Sequence, residues 1–243
     1  MKPSRNTFSE RSLHGRIAHD LGKKIVSGHY KPGEILPNET TICRDLEVSR
    51  TAVREAFKVL TAKGLLESRP KVGTRVKDRD QWNMLDPDVL AWNLIPTPNP
   101  QLLLSMLELR NIYSPKAAGL AALRADKEQR LAIEDTLTCL KDHMDEPEIA
   151  SEHELNFHLS IHQASGNEFI TTLGALIETA LSDASNFETW MPRQKDRMIP
   201  LYEAVAQSIS EGDTESAETS MQRLLSNISG LTGSQAIGRA ISS

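Results

Sequence analysis

The 243 residues are 39% hydrophobic and 25% charged, with 13 Gly and 12 Pro, a globular composition of two-domain length that excludes collagen-like and disordered classes. No run of about 18 apolar residues is present, the polar start MKPSRNTFSE is no signal peptide, and Cys43 and Cys139 lack zinc-ligand spacing, so a soluble chain in a reducing, cytoplasmic compartment is expected. The net charge of −5 is split: residues 1–80 carry 17 Lys and Arg against 10 Asp and Glu, a net +7, whereas 81–243 carry 11 against 23, a net −12. A basic first third points to nucleic acid at that end and to another task at the other.

Residues 1–10 read as a loose polar arm. Leu13, Ile17, Leu21 and Ile25 recur every four residues and predict a helix that stops near Ser27-Gly28. HYKPGEILP reads as a turn entering a short strand. Asn38 can cap a second helix bearing Ile42 and Leu46. After the break Glu47-Val48, Ser49 can cap a third helix running to about Lys63 and closed by Gly64. Leu65–Ser68 and Thr74–Val76, joined by a Gly-containing connector, read as a hairpin. Helix, helix, tight break, helix and hairpin make a winged helix-turn-helix over residues 11–78. Residues 79–99 read as a linker whose middle, 87–94, forms one short helix. From 101 onward helices are expected at 101–125, 127–145, 150–164, 168–189, 197–210 and 214–229. The second domain, 100–230, is therefore all-α, a bundle of six or seven helices, and 231–243 a frayed tail. The fold class is mainly α.

In the third helix Val53, Phe57 and Leu60 share an apolar stripe, and Arg50, Arg54 and Lys58 the adjacent one. A helix fits the major groove, where residues of its N-terminal end reach base edges. Ser49, Arg50, Thr51 and Arg54 occupy that end. Arg matches guanine O6 and N7 with two parallel bonds, and hydroxyls suit phosphates. Arg44 and the wing residues Lys71 and Arg75, with Arg69, are phosphate candidates, and Gly73 would let backbone approach the sugar-phosphate edge. Each cation alone could merely solvate a helix surface; the set, with its break, wing and charge balance, points to double-stranded DNA.

The stretch ILPNETTICRDLEVSRTAVREAFKVLTAKGLLESRPKVGTRV resembles the GntR-type winged-helix signature, over roughly Gly15–Val76. Several relatives carry Arg where this chain has Thr40, which puts a DNA contact there in doubt. Glu108-Leu109-Arg110, LAALRA at 120–125 and FHLSIHQASGN at 157–167 resemble the FadR subfamily of these regulators, with its FCD-type effector domain. RDQWNMLDPDVLAW at 79–92 and ETWM at 188–191 are similar to sugar-acid regulators of that subfamily. The resemblance implies a ligand-responsive transcription regulator that represses an aldonate or aldarate operon as a homodimer and is released by its acid. The alternative is a GntR-type regulator sensing a dicarboxylate, another hydroxy acid or a fatty acyl group.

Arg110 lies among Leu103, Met106, Leu107 and Ile112, which read as buried, and a guanidinium there needs an anion: a ligand carboxylate, or an internal partner such as Glu108 or Glu154. Trp190 reads as a stacking wall or a core residue. Relatives hold a divalent ion such as zinc with an acidic residue, a His four residues later and two further His. Glu154 and His158 match the first two, but Tyr202 and Leu224 stand where the other two would be, so the resemblance implies at most a degenerate metal site and no certain cofactor. His158 alternatively donates a hydrogen bond to a bound acid or is a core histidine, and Tyr202 offers a hydroxyl in the same space. His153 and His158 are five apart and cannot share a zinc on one helix face; His158 and His162 have the right spacing, but FHLSIH reads as an ordinary amphipathic turn. No phosphate loop, GxSxG elbow or Rossmann glycine set is present, so no enzyme is expected.

Overall fold

A computed structural model describes residues 12–70, 72–94, 99–184 and 187–240, with side chains described except in 183–195 and 229–240. The expected arm at 1–10 and the wing residue Lys71 lie outside the described residues. The chain divides into two compact units, Met1–Thr97 and Pro98–Ser243.

In the first unit each helix begins at a side-chain cap. Ser12 Oγ accepts the Gly15 amide at 3.1 Å to start α1 (Leu13–Val26), and Asn38 Oδ1 accepts the Thr41 amide at 2.9 Å to start α2 (Glu39–Leu46). Ser49 Oγ accepts the Ala52 amide at 3.2 Å to start α3 (Arg50–Ala62). These oxygens satisfy amides that the first helical turn leaves without partners. Between α2 and α3 the chain reverses through Glu47, a non-glycine residue at φ 54°. The wing pairs β1 (Leu66–Arg69) antiparallel to β2 (Gly73–Val76), with Glu67 opposite Arg75. Ile35 forms a bridge to Arg75, and the Leu36 amide donates to the Thr74 carbonyl at 2.9 Å. The short strand expected after HYKPGE is reduced to this single bridge residue, Ile35, beside β2.

Val53, Phe57 and Leu60 of α3 bury with Ile17, Leu21 and Ile25 of α1. Burying one such side chain contributes about 1.5–3 kcal/mol, and this orients α3 so that Arg50, Arg54 and Lys58 stay in water.

The segment expected as a linker is instead part of this unit. A 3-10 turn at Arg79–Gln81 leads to α4 (Pro87–Leu94), and Trp82, Val89 and Trp92 join the core. Trp92 lies against Gly22 of α1, where a Cβ would collide with its ring, and its Nε1 donates to His19 Nδ1 at 3.0 Å. Lys63, just past α3, pairs with Asp86 at 2.8 Å and Asp88 at 2.7 Å. Gly64 follows at φ +78° with the Gln81 carbonyl 2.8 Å from where a Cβ would sit, so glycine is needed there.

The described residues of the second unit form six helices: α5 (Pro100–Arg124), α6 (Lys127–Asp142), α7 (Pro147–Ala164), α8 (Glu168–Ala184), α9 (Phe187–Glu211) and α10 (Thr214–Ala240). α6 and α8 end, and α7 begins, three to five residues before the expected positions, and two boundaries differ more widely. The break placed at 190–196 does not occur: the helix starts at Phe187 and runs on through Pro192. The last helix runs to Ala240 through the expected tail, a stretch with Gly230, Gly233 and Gly238 whose helicity its composition does not explain. Phe157 and Ile161 of α7, Tyr202 and Val205 of α9, and Met221 and Leu224 of α10 are central to one apolar core.

Candidate functional site

The exposed face of the first unit carries the cations, and most have an acidic partner. Arg44 pairs with Asp45 at 3.2 Å, Arg54 Nε with Glu39 Oε2 at 2.8 Å, and Lys58 with Glu55 at 2.8 Å. In the wing Glu67 gathers Arg69 at 3.0 Å and Arg75 at 2.6 Å. The Arg75 hydrogen bond chiefly holds the Glu67 carboxyl below its usual range, against a smaller opposing effect of desolvation. Arg75 is thus a cross-strand lock as well as a candidate DNA contact. Arg50 differs: its Nη2 donates to the Thr40 hydroxyl at 2.6 Å. Thr51 is exposed, Ser49 Oγ is engaged as a cap, and Gly73 takes φ +116° beside Ile35.

The second unit holds a buried polar cluster in a helical core. Arg110 of α5 donates from Nε to Glu178 Oε1 at 2.9 Å and approaches Glu178 Oε2 through Nη2 at 2.7 Å, a two-point fork. Nη2 also donates to Glu154 Oε1 at 3.3 Å. Tyr113 Oη donates to Glu178 Oε1 at 3.2 Å, and His158 Nε2 stands 3.1 Å from Glu154 Oε1. Ser114 Oγ lies 3.2 Å from His162 Nε2, and a Cβ at Gly174 would overlap the His162 ring, so α8 passes close against that imidazole. Both ring nitrogens of His158, Nδ1 of His162 and Oη of Tyr202 have no partner in hydrogen-bond geometry among the described residues.

Burial opposes charge on Glu154, but His158 and then Arg110 beside it prevail and lower its pKa to about 2. Burial opposes the Arg110 cation too, yet Glu178 and Glu154 raise its pKa. Burial lowers His162 to about 4, so it is neutral near pH 7. The Tyr202 phenol is driven upward by burial and by the Glu154 carboxylate. The result is one guanidinium facing the carboxyl groups of Glu154 and Glu178, ringed by the Tyr113 and Tyr202 phenols, the Ser114 hydroxyl and the His158 and His162 rings.

The structure brings Arg110, Glu154, His158 and Tyr202 to neighbouring positions in one core; the side chain of Trp190 lies outside the described residues. Glu108 is exposed, so of the two internal partners expected for Arg110 only Glu154 is present. Its main partner, Glu178, was missed, as were Tyr113, Ser114 and His162. A signal existed: Glu178 is a lone acid in the apolar run LGALIETAL. Ile112, expected buried, is 71% exposed.

A divalent ion does not fit the described donors. The Tyr202 phenol is held in its neutral form, Leu224 is an apolar core residue, and Glu154 is already engaged by Arg110. No group of three or more His, Cys, Asp or Glu among the described residues is arranged to hold a metal.

A winged helix with a cationic third helix, followed by a helical unit with a polar core, defines a DNA-binding regulator with a sensor domain. The pattern of bacterial regulatory proteins of the gntR family matches residues 13–76, and the FCD domain pattern matches residues 105–227. The galactonate operon transcriptional repressor of Escherichia coli K12 is 35% identical over 205 residues, 84% of this chain and 89% of that protein. The Uxu operon transcriptional regulator of the same organism is 28% identical, covering 87% of this chain and 85% of its own. In fold the chain is similar to a Streptococcus agalactiae GntR structure, with a TM-score of 0.51 at 23% identity over 91% of this chain and 98% of that one.

The chain belongs to the GntR family of bacterial regulatory proteins and carries the FCD domain. It is a transcription regulator that binds operator DNA and answers to a small molecule; it is not an enzyme. No described helix is long and apolar enough to cross a membrane.

Proposed function

We propose that this chain represses a sugar-acid catabolic operon as a cytoplasmic homodimer on a near-palindromic operator, and that an aldonate or aldarate releases it. Ser49, Arg50, Thr51 and Arg54 enter the major groove, while Arg44, Lys71, Gly73 and Arg75 meet the backbone. One recognition helix spans too few base pairs for useful specificity, hence two copies.

The observation that carries the effector class is the buried cluster around Arg110. A polyhydroxy acid offers a carboxylate to the guanidinium and hydroxyl hydrogens to Glu154 and Glu178, while His158 Nδ1 and the Tyr202 hydroxyl supply further polar atoms without hydrogen-bond partners. An acyl chain would leave the Tyr202 hydroxyl and His158 Nδ1 buried without partners, at a cost of about 1–3 kcal/mol each. Binding needs no divalent ion, since Tyr202 and Leu224 replace two donors. The similarity to the galactonate operon repressor supports the same class.

A thermal-shift screen of aldonates, aldarates, keto-deoxy acids, dicarboxylates and fatty acids, each with and without zinc, tests this reading. One polyhydroxy acid should raise the melting temperature by several degrees without added metal, because a ligand that binds the folded state stabilises it by mass action. Stabilisation by fatty acids or plain dicarboxylates alone overturns it.

A further inference from the structure

The cations of the helix-turn-helix and wing are not electrically equivalent. Arg44, Arg54, Lys58, Arg69 and Arg75 each face a carboxylate within 3.2 Å. Arg50 is held by Thr40, a neutral hydroxyl, at 2.6 Å. A carboxylate orients a guanidinium but cancels most of its field at a distance. A hydroxyl oxygen orients it and leaves the charge whole. The bond to Thr40 also uses only one of the five N–H donors of Arg50, so an edge with two parallel donors remains for an acceptor pair.

The placement is equally specific. Thr40 is the second residue of α2 and Arg50 the first of α3, so the contact ties together the leading ends of the two helices. The neighbouring residue, Glu39, reaches Arg54, one turn further along α3. Two consecutive residues of α2 thus hold two arginines of α3, one through a neutral contact and one through a charged one. An ordinary exposed arginine samples many rotamers and loses that freedom on binding. Arg50 is already partly ordered, with its full charge.

We infer that Thr40 is a positioning residue for Arg50 and that this pair, rather than Arg54, carries the strongest base discrimination of the recognition helix. The acceptor it fits is the O6 and N7 edge of a guanine in the major groove. Glu39 shifts Arg54 toward a weaker, less discriminating role. Thr40 thereby influences the DNA sequence chosen without itself touching a base. The inference rests on α3 being the groove-reading helix.

The test uses the full chain and the duplex it enriches from a randomised pool, with that duplex mutated one base pair at a time. Arg50→Ala should lose about tenfold discrimination at one G·C pair, and Arg54→Ala clearly less. Thr40→Val should lose several-fold discrimination at the same pair as Arg50→Ala, with binding to random duplex unchanged within about twofold and an unaltered melting temperature. Thr40→Ser, which keeps the hydroxyl, should behave as the wild type. The inference falls if Thr40→Val keeps the full preference, weakens selected and random duplexes equally, or is not rescued by Thr40→Ser. It also falls if Arg54→Ala costs more discrimination than Arg50→Ala. Should neither arginine affect base preference, the reading of α3 itself fails, an outcome distinct from loss of the Thr40 effect alone.

Discussion

The two units handle charge in opposite ways. In the first, arginines such as Arg54, whose side chain is 62% exposed, pair loosely with acids in water, where such pairs contribute about 0–1 kcal/mol and remain free to exchange partners. In the second, Arg110, Glu154 and Glu178 are locked together in a core. Breaking a buried set by removing one member is costly because the remaining charge is stranded. A charge proposed to meet DNA is kept cheap to re-pair, whereas a charge proposed to shape a ligand site is held by its surroundings.

Mutations at the two sites should separate these regimes. Glu178→Ala strands the Arg110 fork and should lower the stability of the second unit by about 3–5 kcal/mol, read from its denaturant midpoint; a shift below about 1 kcal/mol would place the cluster in the surface class. Arg110→Lys keeps the charge but loses the planar fork. It should remove most of the melting-temperature rise caused by the sugar acid while leaving operator affinity intact, and a full ligand response would move the effector site away from Arg110. Arg50→Ala should weaken binding to the selected duplex by about 1–3 kcal/mol yet leave the unfolding midpoint almost unchanged, since its partner Thr40 is exposed.

Acid should sharpen the contrast further. His162 titrates near 4 when folded against 6.5 in its ordinary state, so between those values the unfolded chain binds the extra proton and stability falls as pH falls. Glu154 titrates near about 2 when folded against 4.5, so its contribution is present above 4.5 and is lost below, as pH drops toward 2. The second unit should therefore weaken in two successive windows. His162→Gln should flatten the upper one, as followed by the unfolding midpoint across pH 7 to 4. The smallest effect should be Arg44→Ala, an exposed pair with its chain neighbour Asp45, with stability changed by less than about 0.5 kcal/mol.

The winged helix was readable from residue order because its signals are local. Asn38 and Ser49 each cap the helix that follows within three residues, and the four-residue spacing of Leu13, Ile17, Leu21 and Ile25 places one face. In the sensor unit, Arg110 and Glu154 were legible as an apolar-embedded cation and a carboxylate four residues before a histidine. The pairing of Glu178 with Arg110 was not, because the two lie 68 residues apart: a lone acid in an apolar run marks a buried charge but not the partner it meets. The docking of α4 was missed for the same reason: it depends on Trp92 settling over Gly22, 70 positions earlier in the chain, where only a missing Cβ leaves room.

Short-range regularities in the chain were enough to indicate the winged helix, the α3 cations and the all-helical second half, since caps and helical periodicity act over a few residues; the regulator class was implied by the resemblance to the GntR signature. Long-range packing settled which charges are paired and which polar atoms are left without partners. Those outcomes depend on where separate helices meet, and the energy of a charge depends on the neighbours and water it finds there.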